Sequence, residues 1–380
     1  EAAPADAAPA DAAPAVEVAP TDAAPDATAP AADAASTDAA AAPAADGAAP
    51  GETADAPAAP AADMQAVLDK LMELGAPAIG TVSVEEQRAA PTPADAVMAV
   101  MQDRGIAPDP ALEAIATREV SYPDAGGGEQ PIRIYTPAGE GPFPLIVYFH
   151  GGGWVIADID TYDASARALA AGTGAVVASV EYRHAPESPF PAAHEDADAA
   201  YAWLIENSGS INADAERVAV AGESAGGNLA INVAITARDA ELTQPDAMLL
   251  VYPLINNDLT TPSYVTYADA MPLSKPAVEW FVSQVFEDPA QTADPRVNVL
   301  DRTDLAGLPP ATIINAQIDP LQSEGELLAQ ALNDQGVEAT QMTYEGVTHE
   351  FFGMGAVVPQ AKEAMDMATG ALREALASAQ

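Results

Sequence analysis

Five apolar runs of strand length recur along the chain from residue 144 onward: PLIVYFH from Pro144, GAVVASVEY from Gly174, RVAVAGE from Arg217, AMLLVYPLI from Ala247 and PATIINAQI from Pro310. Each is apolar throughout rather than at alternate positions, the pattern of a strand covered on both faces. Stretches of helical spacing near 160–172, 195–207, 225–238 and 323–336 separate them. Strand and helix alternating in this way predict an α/β fold, with a mostly parallel central sheet and helices on both faces. Ahead of these runs, REVSYP from Arg118 and QPIRIYTP from Gln130 alternate apolar with polar residues on either side of DAGGGE. They predict two half-buried antiparallel strands joined by a turn.

Two intervals break the rhythm. Residues 64–118 read as short helices interrupted at Gly75, Pro91, Pro93, Gly105 and Pro108. Residues 256–308, with LTTPSYVTYADAMPLS and the aromatic VEWFVSQVF, stand between two of the expected strands. Both are expected to build a cap over the strand ends. A last helix, from about Gln360 to Ser378, closes the chain. The expected division is an extension over 1–62, a helical cap segment over 63–118, and a catalytic domain over 119–380 that holds the second cap insertion.

Composition changes the picture at the N-terminal end. Residues 1–62 carry eleven acids, ten prolines and no Lys or Arg in an alanine background, with almost no large apolar side chain to bury. Such a segment is expected to stay disordered as an acidic spacer, because nothing offsets the entropy of ordering it. Over all 380 residues, 57 acids against 14 Lys and Arg give a formal charge of −43, which argues against nucleic acid and anionic membrane surfaces as partners. No run approaches the roughly 18 apolar residues of a membrane span. Cysteine is absent, so disulfides, thiolate metal sites and thiol catalysis drop out and a nucleophile must be oxygen or nitrogen. With the acidic spacer and a first residue other than Met, these features favour an exported protein, a cytoplasmic one being the alternative. A homodimer is left open.

Candidate chemistry gathers where strands end, as it does in open α/β sheets. RVAVAGESAGGNLA runs from a strand straight into a helix through Gly222-Glu223-Ser224-Ala225-Gly226, the Gly-x-Ser-x-Gly pattern of a nucleophile elbow. A phosphate cradle would need a Gly-Lys-Ser/Thr that is missing. A serine hydroxyl needs a base held against it, and of the four histidines only His349 follows Ser224. Asp319, at the end of PATIINAQI, is positioned to orient that imidazole. Asp294, Asp301 and Asp304 compete from irregular sequence, and Asp before Pro320 is also ordinary turn chemistry. The three glycines of YFHGGGWV, Gly151 to Gly153, and the N–H of Ala225 are candidate donors to an oxyanion. Trp154 and Glu223 are candidate substrate contacts, although Trp154 could equally be simple core packing. The acids of ADIDTYD lack the glycine and distal Glu of a calcium loop, and the histidines have no ligand spacing, so neither a metal nor a cofactor is expected.

From HGGGWV, SVEYRHAPESPFPAAHEDA, RVAVAGESAGGNLA, DLAGLPPATI, DPLQSEGE and GVTHEFF, over most of residues 120–355, the chain resembles the bacterial hormone-sensitive lipase family of α/β-hydrolase esterases. The resemblance implies a serine carboxylesterase acting on short to medium acyl esters through an acyl-enzyme, beneath an N-terminal helical cap. It also implies that Gly152 and Gly153 are the oxyanion donors. Departures are Glu223 in place of the usual Asp, His184 in place of Leu, and Gln322-Ser323 in place of Arg-Asp. An amidase, a lactonase or a silent binding protein on the same fold stays open, since a triad does not choose the leaving group.

Overall fold

The five apolar runs form the parallel centre of one eight-stranded sheet. The structure, a computed structural model, describes residues 57–378, which fall in the unit Asp55–Gln380. The strands are β1 (Ala116–Pro123), β2 (Glu129–Thr136), β3 (Phe143–Phe149), β4 (Val176–Val180), β5 (Ala213–Glu223), β6 (Ala247–Val251), β7 (Ala311–Ile318) and β8 (Ala339–Thr348). They lie in the order β1-β2-β4-β3-β5-β6-β7-β8. The β1–β2 and β2–β4 pairs are antiparallel, and every pair from β3–β4 to β7–β8 is parallel.

Helices α1 (Ala62–Glu73), α2 (Val84–Arg88), α3 (Pro93–Arg104) and α4 (Pro110–Glu113) precede the sheet. Next come α5 (Asp163–Thr173), α6 (Ala192–Asn207) and α7 (Ala225–Asp239), then α8 (Pro262–Thr266) and α9 (Lys275–Val285) between β6 and β7. Helices α10 (Gln322–Asp334) and α11 (Pro359–Ser378) flank β8 in sequence. Alternate residues of each central strand feed two cores. Leu145, Val147 and Phe149 join residues of α6, α7 and α10, whereas Ile146 and Tyr148 join α5 and α11. Burying each such aliphatic side chain contributes about 1.5–3 kcal/mol.

The punctuation of the N-terminal segment has visible causes. Thr92 caps α3 in a reciprocal box with Asp95, Pro93 takes the first turn where its missing N–H costs nothing, and Gly105 ends the helix at φ 66°. Helix α2 is tied down by Arg88, whose guanidinium donates to the carbonyls of Val155 and Ala185, both at 2.8 Å. The two irregular intervals meet, since a Cβ on Gly80 would lie 2.8 Å from the Trp280 side chain of α9. Of the extension expected over 1–62, residues 1–56 lie outside the described residues. Residues 57–61 lead into α1, and the Ala61 N–H donates to Gly346 near the end of β8 at 2.8 Å.

Candidate active site

Strand β5 ends at Glu223 and α7 begins at Ala225, leaving Ser224 alone at the turn with φ 56° and ψ −119°. A non-glycine residue in that region is strained and persists only where its surroundings hold it. Here the Ser224 N–H donates to Val251 of β6 at 2.8 Å, and its carbonyl accepts from Asn228 and Leu254, both at 3.2 Å. The flanking glycines are a steric requirement. A Cβ on Gly222 would sit 2.1 Å from the Gly226 carbonyl oxygen, and one on Gly226 would sit 2.1 Å from that of Phe149.

Two strands beyond β6, on one side of β5, deliver the partners. Asp319 directly follows β7 and His349 directly follows β8, so parallel strand ends place them beside the turn. His349 Nε2 lies 3.0 Å from Ser224 Oγ, and its Nδ1 lies 2.6 Å from Asp319 Oδ2. The other Asp319 oxygen accepts the Leu321 N–H at 2.9 Å, and the side chain is fully buried. With a carboxylate on Nδ1, that nitrogen carries the proton and Nε2 faces the serine as an acceptor. Burial alone would lower the His349 pKa, but the charge and hydrogen bond of Asp319, with Glu350 and Glu223 beyond, hold it above the ordinary 6.5.

These groups open into a cavity of about 920 Å³. Its wall includes Ser224, His349, Gly152 and Gly153, apolar side chains such as Leu71, Ile79, Leu273 and Phe281, and the charged Arg88, Glu181 and Glu350. Thus both irregular intervals contribute to the wall. Gly152 and Gly153 have φ of 98° and 61°, the left-handed region that favours glycine. Side chains there would strike the Ile156 carbonyl and the Phe281 ring. Among the described residues neither N–H is engaged in a hydrogen bond, and the Ala225 N–H belongs to the unpaired first turn of α7.

Three expected residues sit elsewhere. Gly151 is off the cavity wall, its carbonyl taking His150 Nδ1 at 2.8 Å. Glu223 is buried away from the cavity, accepting from the hydroxyls of Tyr148, at 2.6 Å, and Tyr252. Burial pushes its carboxyl up to about 7. Trp154 borders a second, apolar cavity of about 150 Å³ rather than the large one, and its indole N–H donates to the Ala225 carbonyl at 3.2 Å. The competitor acids are also accounted for. Asp294 and Asp304 pair with Arg296 and Arg302, and Asp301 accepts from Asn298.

Glu350 has no motif of its own in the sequence. It holds φ 72°, its carboxylate accepts the Tyr162 hydroxyl at 2.7–2.8 Å, and it lies 3.9 Å from His349 Nε2. Its only signal was adjacency to His349, which does not reveal where a side chain turns.

A strand-end serine, imidazole and carboxylate under a helical roof define a hydrolase with a serine nucleophile elbow, and the relatives agree. A family description reading alpha/beta hydrolase fold matches residues 146–353. The carboxylesterase NlhH of Mycobacterium tuberculosis is 38% identical over 267 residues, covering 69% of this chain and 83% of that protein. The ethyl acetate hydrolase of Pseudomonas putida is 34% identical over 262 residues, covering 68% and 82%. Among solved structures, a thermostable esterase from Pseudomonas putida ECU1011 superposes with a TM-score of 0.76 at 32% identity, over 84% of this chain and 98% of that one. The chain belongs to the α/β-hydrolase fold family, in its hormone-sensitive lipase branch of ester hydrolases. Among the described residues no helix is long and apolar enough to cross a membrane.

Proposed function

We propose that this protein hydrolyses carboxylic esters of short to medium acyl chain through an acyl-enzyme on Ser224. As Oγ bonds to the ester carbonyl carbon, its proton passes to His349 Nε2. The carbonyl oxygen becomes an oxyanion facing the N–H groups of Gly152, Gly153 and Ala225, where each donor contributes on the order of 3 kcal/mol. Collapse breaks the bond to the alcohol oxygen, which leaves with the proton from His349. Water then repeats the sequence, losing a proton to His349, and the acid departs as Ser224 recovers its own. Asp319 keeps the ring oriented and compensates the imidazolium throughout.

The observation that carries this reading is the unbroken contact series from Asp319 through His349 to Ser224 at 2.6 and 3.0 Å, with the serine on a cavity wall. The apolar lining and moderate volume support small acyl groups, and the names of the esterase relatives support esters over amides. The test compares p-nitrophenyl butyrate with the matching anilide on the native chain and on Ser224→Ala. We expect fast ester turnover, little anilide turnover, and loss of about 10⁴-fold or more in kcat, together with fluorophosphonate labelling, in the variant. Anilide turnover equal to the ester would favour an amidase, and unchanged turnover in Ser224→Ala would end the reading. An exported setting rests only on the cysteine-free composition and the acidic Ala/Pro-rich first 62 residues. Fractionation of producing cells checks it.

A further inference from the structure

We infer that His150, Glu181 and His184 form a site for a divalent transition metal of the zinc type on the wall of the catalytic cavity. The adjacent parallel strands β3 and β4 end side by side, placing His150 just after one and Glu181 just after the other, with His184 three residues on. Both imidazole Nε2 atoms lie 3.1 Å from the same oxygen, Glu181 Oε1, and the three atoms lie within 4.8 Å of one another. Ligand atoms about 2.0–2.1 Å from a tetrahedral zinc are themselves about 3.3 Å apart, so these need little movement to share an ion.

The hydrogen bonding around the cluster favours metal ligation. His150 Nδ1 lies 2.8 Å from the Gly151 carbonyl, which can only accept, so this nitrogen is the donor and Nε2 is the one directed at Glu181. With Nδ1 as the donor, a neutral His150 turns its Nε2 lone pair toward the Glu181 oxygen 3.1 Å away, a repulsion that a proton on Nε2 or a shared cation relieves. An Nδ1–H fixed on a backbone carbonyl is the outer arrangement that orients a histidine for ligation through Nε2. The Nε2 of His184 is buried and has no hydrogen-bond partner among the described residues, its approach to Glu181 lacking hydrogen-bond geometry. The second Glu181 oxygen takes the Ile159 N–H at 3.3 Å, while the first, besides facing both imidazoles, takes only the long Tyr182 N–H contact at 3.4 Å. Glu181 and His184 line the large cavity, which supplies an entry path and room for water in a fourth position. Two imidazoles and one carboxylate select zinc, cobalt, nickel or copper over magnesium or calcium. Sequence spacing could not reveal this cluster, because 33 residues lie between the histidines and only the sheet brings them together.

The test uses the full chain, stripped with EDTA and titrated with Co²⁺, whose four-coordinate complexes absorb strongly in the visible. We expect one Co²⁺ per chain with such a band, displaced by one equivalent of Zn²⁺. His184→Leu, His184→Asn and Glu181→Gln should each weaken binding by about tenfold or more. Variants His349→Ala and Ser224→Ala should keep the band, so this result stands or falls independently of esterase activity. No four-coordinate band in the native chain would overturn the proposal. So would a band that survives His184→Leu and His184→Asn unchanged, or one that vanishes with His349→Ala, which would place the metal on the catalytic histidine.

Discussion

Asp319 offers the sharpest test at the scale of a single residue. Exchanging one carboxylate oxygen for an amide in Asp319→Asn leaves shape nearly unchanged but removes the charge that stabilises the imidazolium and sets the tautomer. By analogy with other serine hydrolases, kcat should fall by about 10⁴. The base works only when His349 is neutral, so kcat/KM of the native chain should rise with pH through a midpoint above 6.5, because Asp319 holds the proton on the ring. In Asp319→Asn that midpoint should move down. A pH–rate profile of both proteins reads the two effects separately, and an unshifted midpoint would mean that Asp319 does not govern the histidine.

At this scale the sequence was legible where chemistry forces spacing. Gly222 and Gly226 were readable because no side chain fits beside the Gly226 and Phe149 carbonyls. His349 was readable because no other histidine follows Ser224. Side-chain direction was not readable. Glu223 stands next to the nucleophile in sequence yet turns toward Tyr148 and Tyr252, whereas Glu350 stands next to the base and turns into the cavity.

At the scale of elements, the apolar runs named the central strands because both faces of each are covered. Strand β8 lacks such a run, since it is a sheet edge whose positions are mostly half-buried or exposed. The roof was located but not its contacts, which depend on pairings between distant segments such as Gly80 with Trp280. Helix α9 separates the two cavities, because Val278 and Phe281 line both. Removing the ring in Phe281→Ala should merge them. The ratio of kcat/KM for p-nitrophenyl octanoate over butyrate should then rise about tenfold, and a steady-state comparison of the two esters checks it.

Helix α10 carries a different liability in its first turn. Glu324 is fully buried, one oxygen accepting the Ile255 N–H at 2.7 Å and the other without a hydrogen bond among the described residues. Burial pushes its carboxyl up to about 8 from an ordinary 4.5. The folded state therefore keeps a proton that the unfolded chain has released, and stability should decline as pH climbs from 4.5 toward 8. Glu324→Gln should remove a decline on the order of 4 kcal/mol across that window. Urea unfolding at pH 5 and pH 8 measures it, and equal slopes for variant and native chain would refute it.

At the scale of the whole molecule, the chain carries a formal charge of −43 while the bond it acts on is neutral. An ester bearing a carboxylate should be disfavoured against its neutral isostere, about tenfold in kcat/KM at low ionic strength, and salt should narrow the gap. A salt series on such a pair decides whether the field reaches the cavity. The reacting groups are fixed to the ends of a rigid slab of parallel strands, while the roof above them is drawn from stretches outside it, around α2 and α9. Diet and reactivity are thus written in different parts of the chain, so a lineage could exchange one meal for another by redecorating the ceiling without ever lifting the floor.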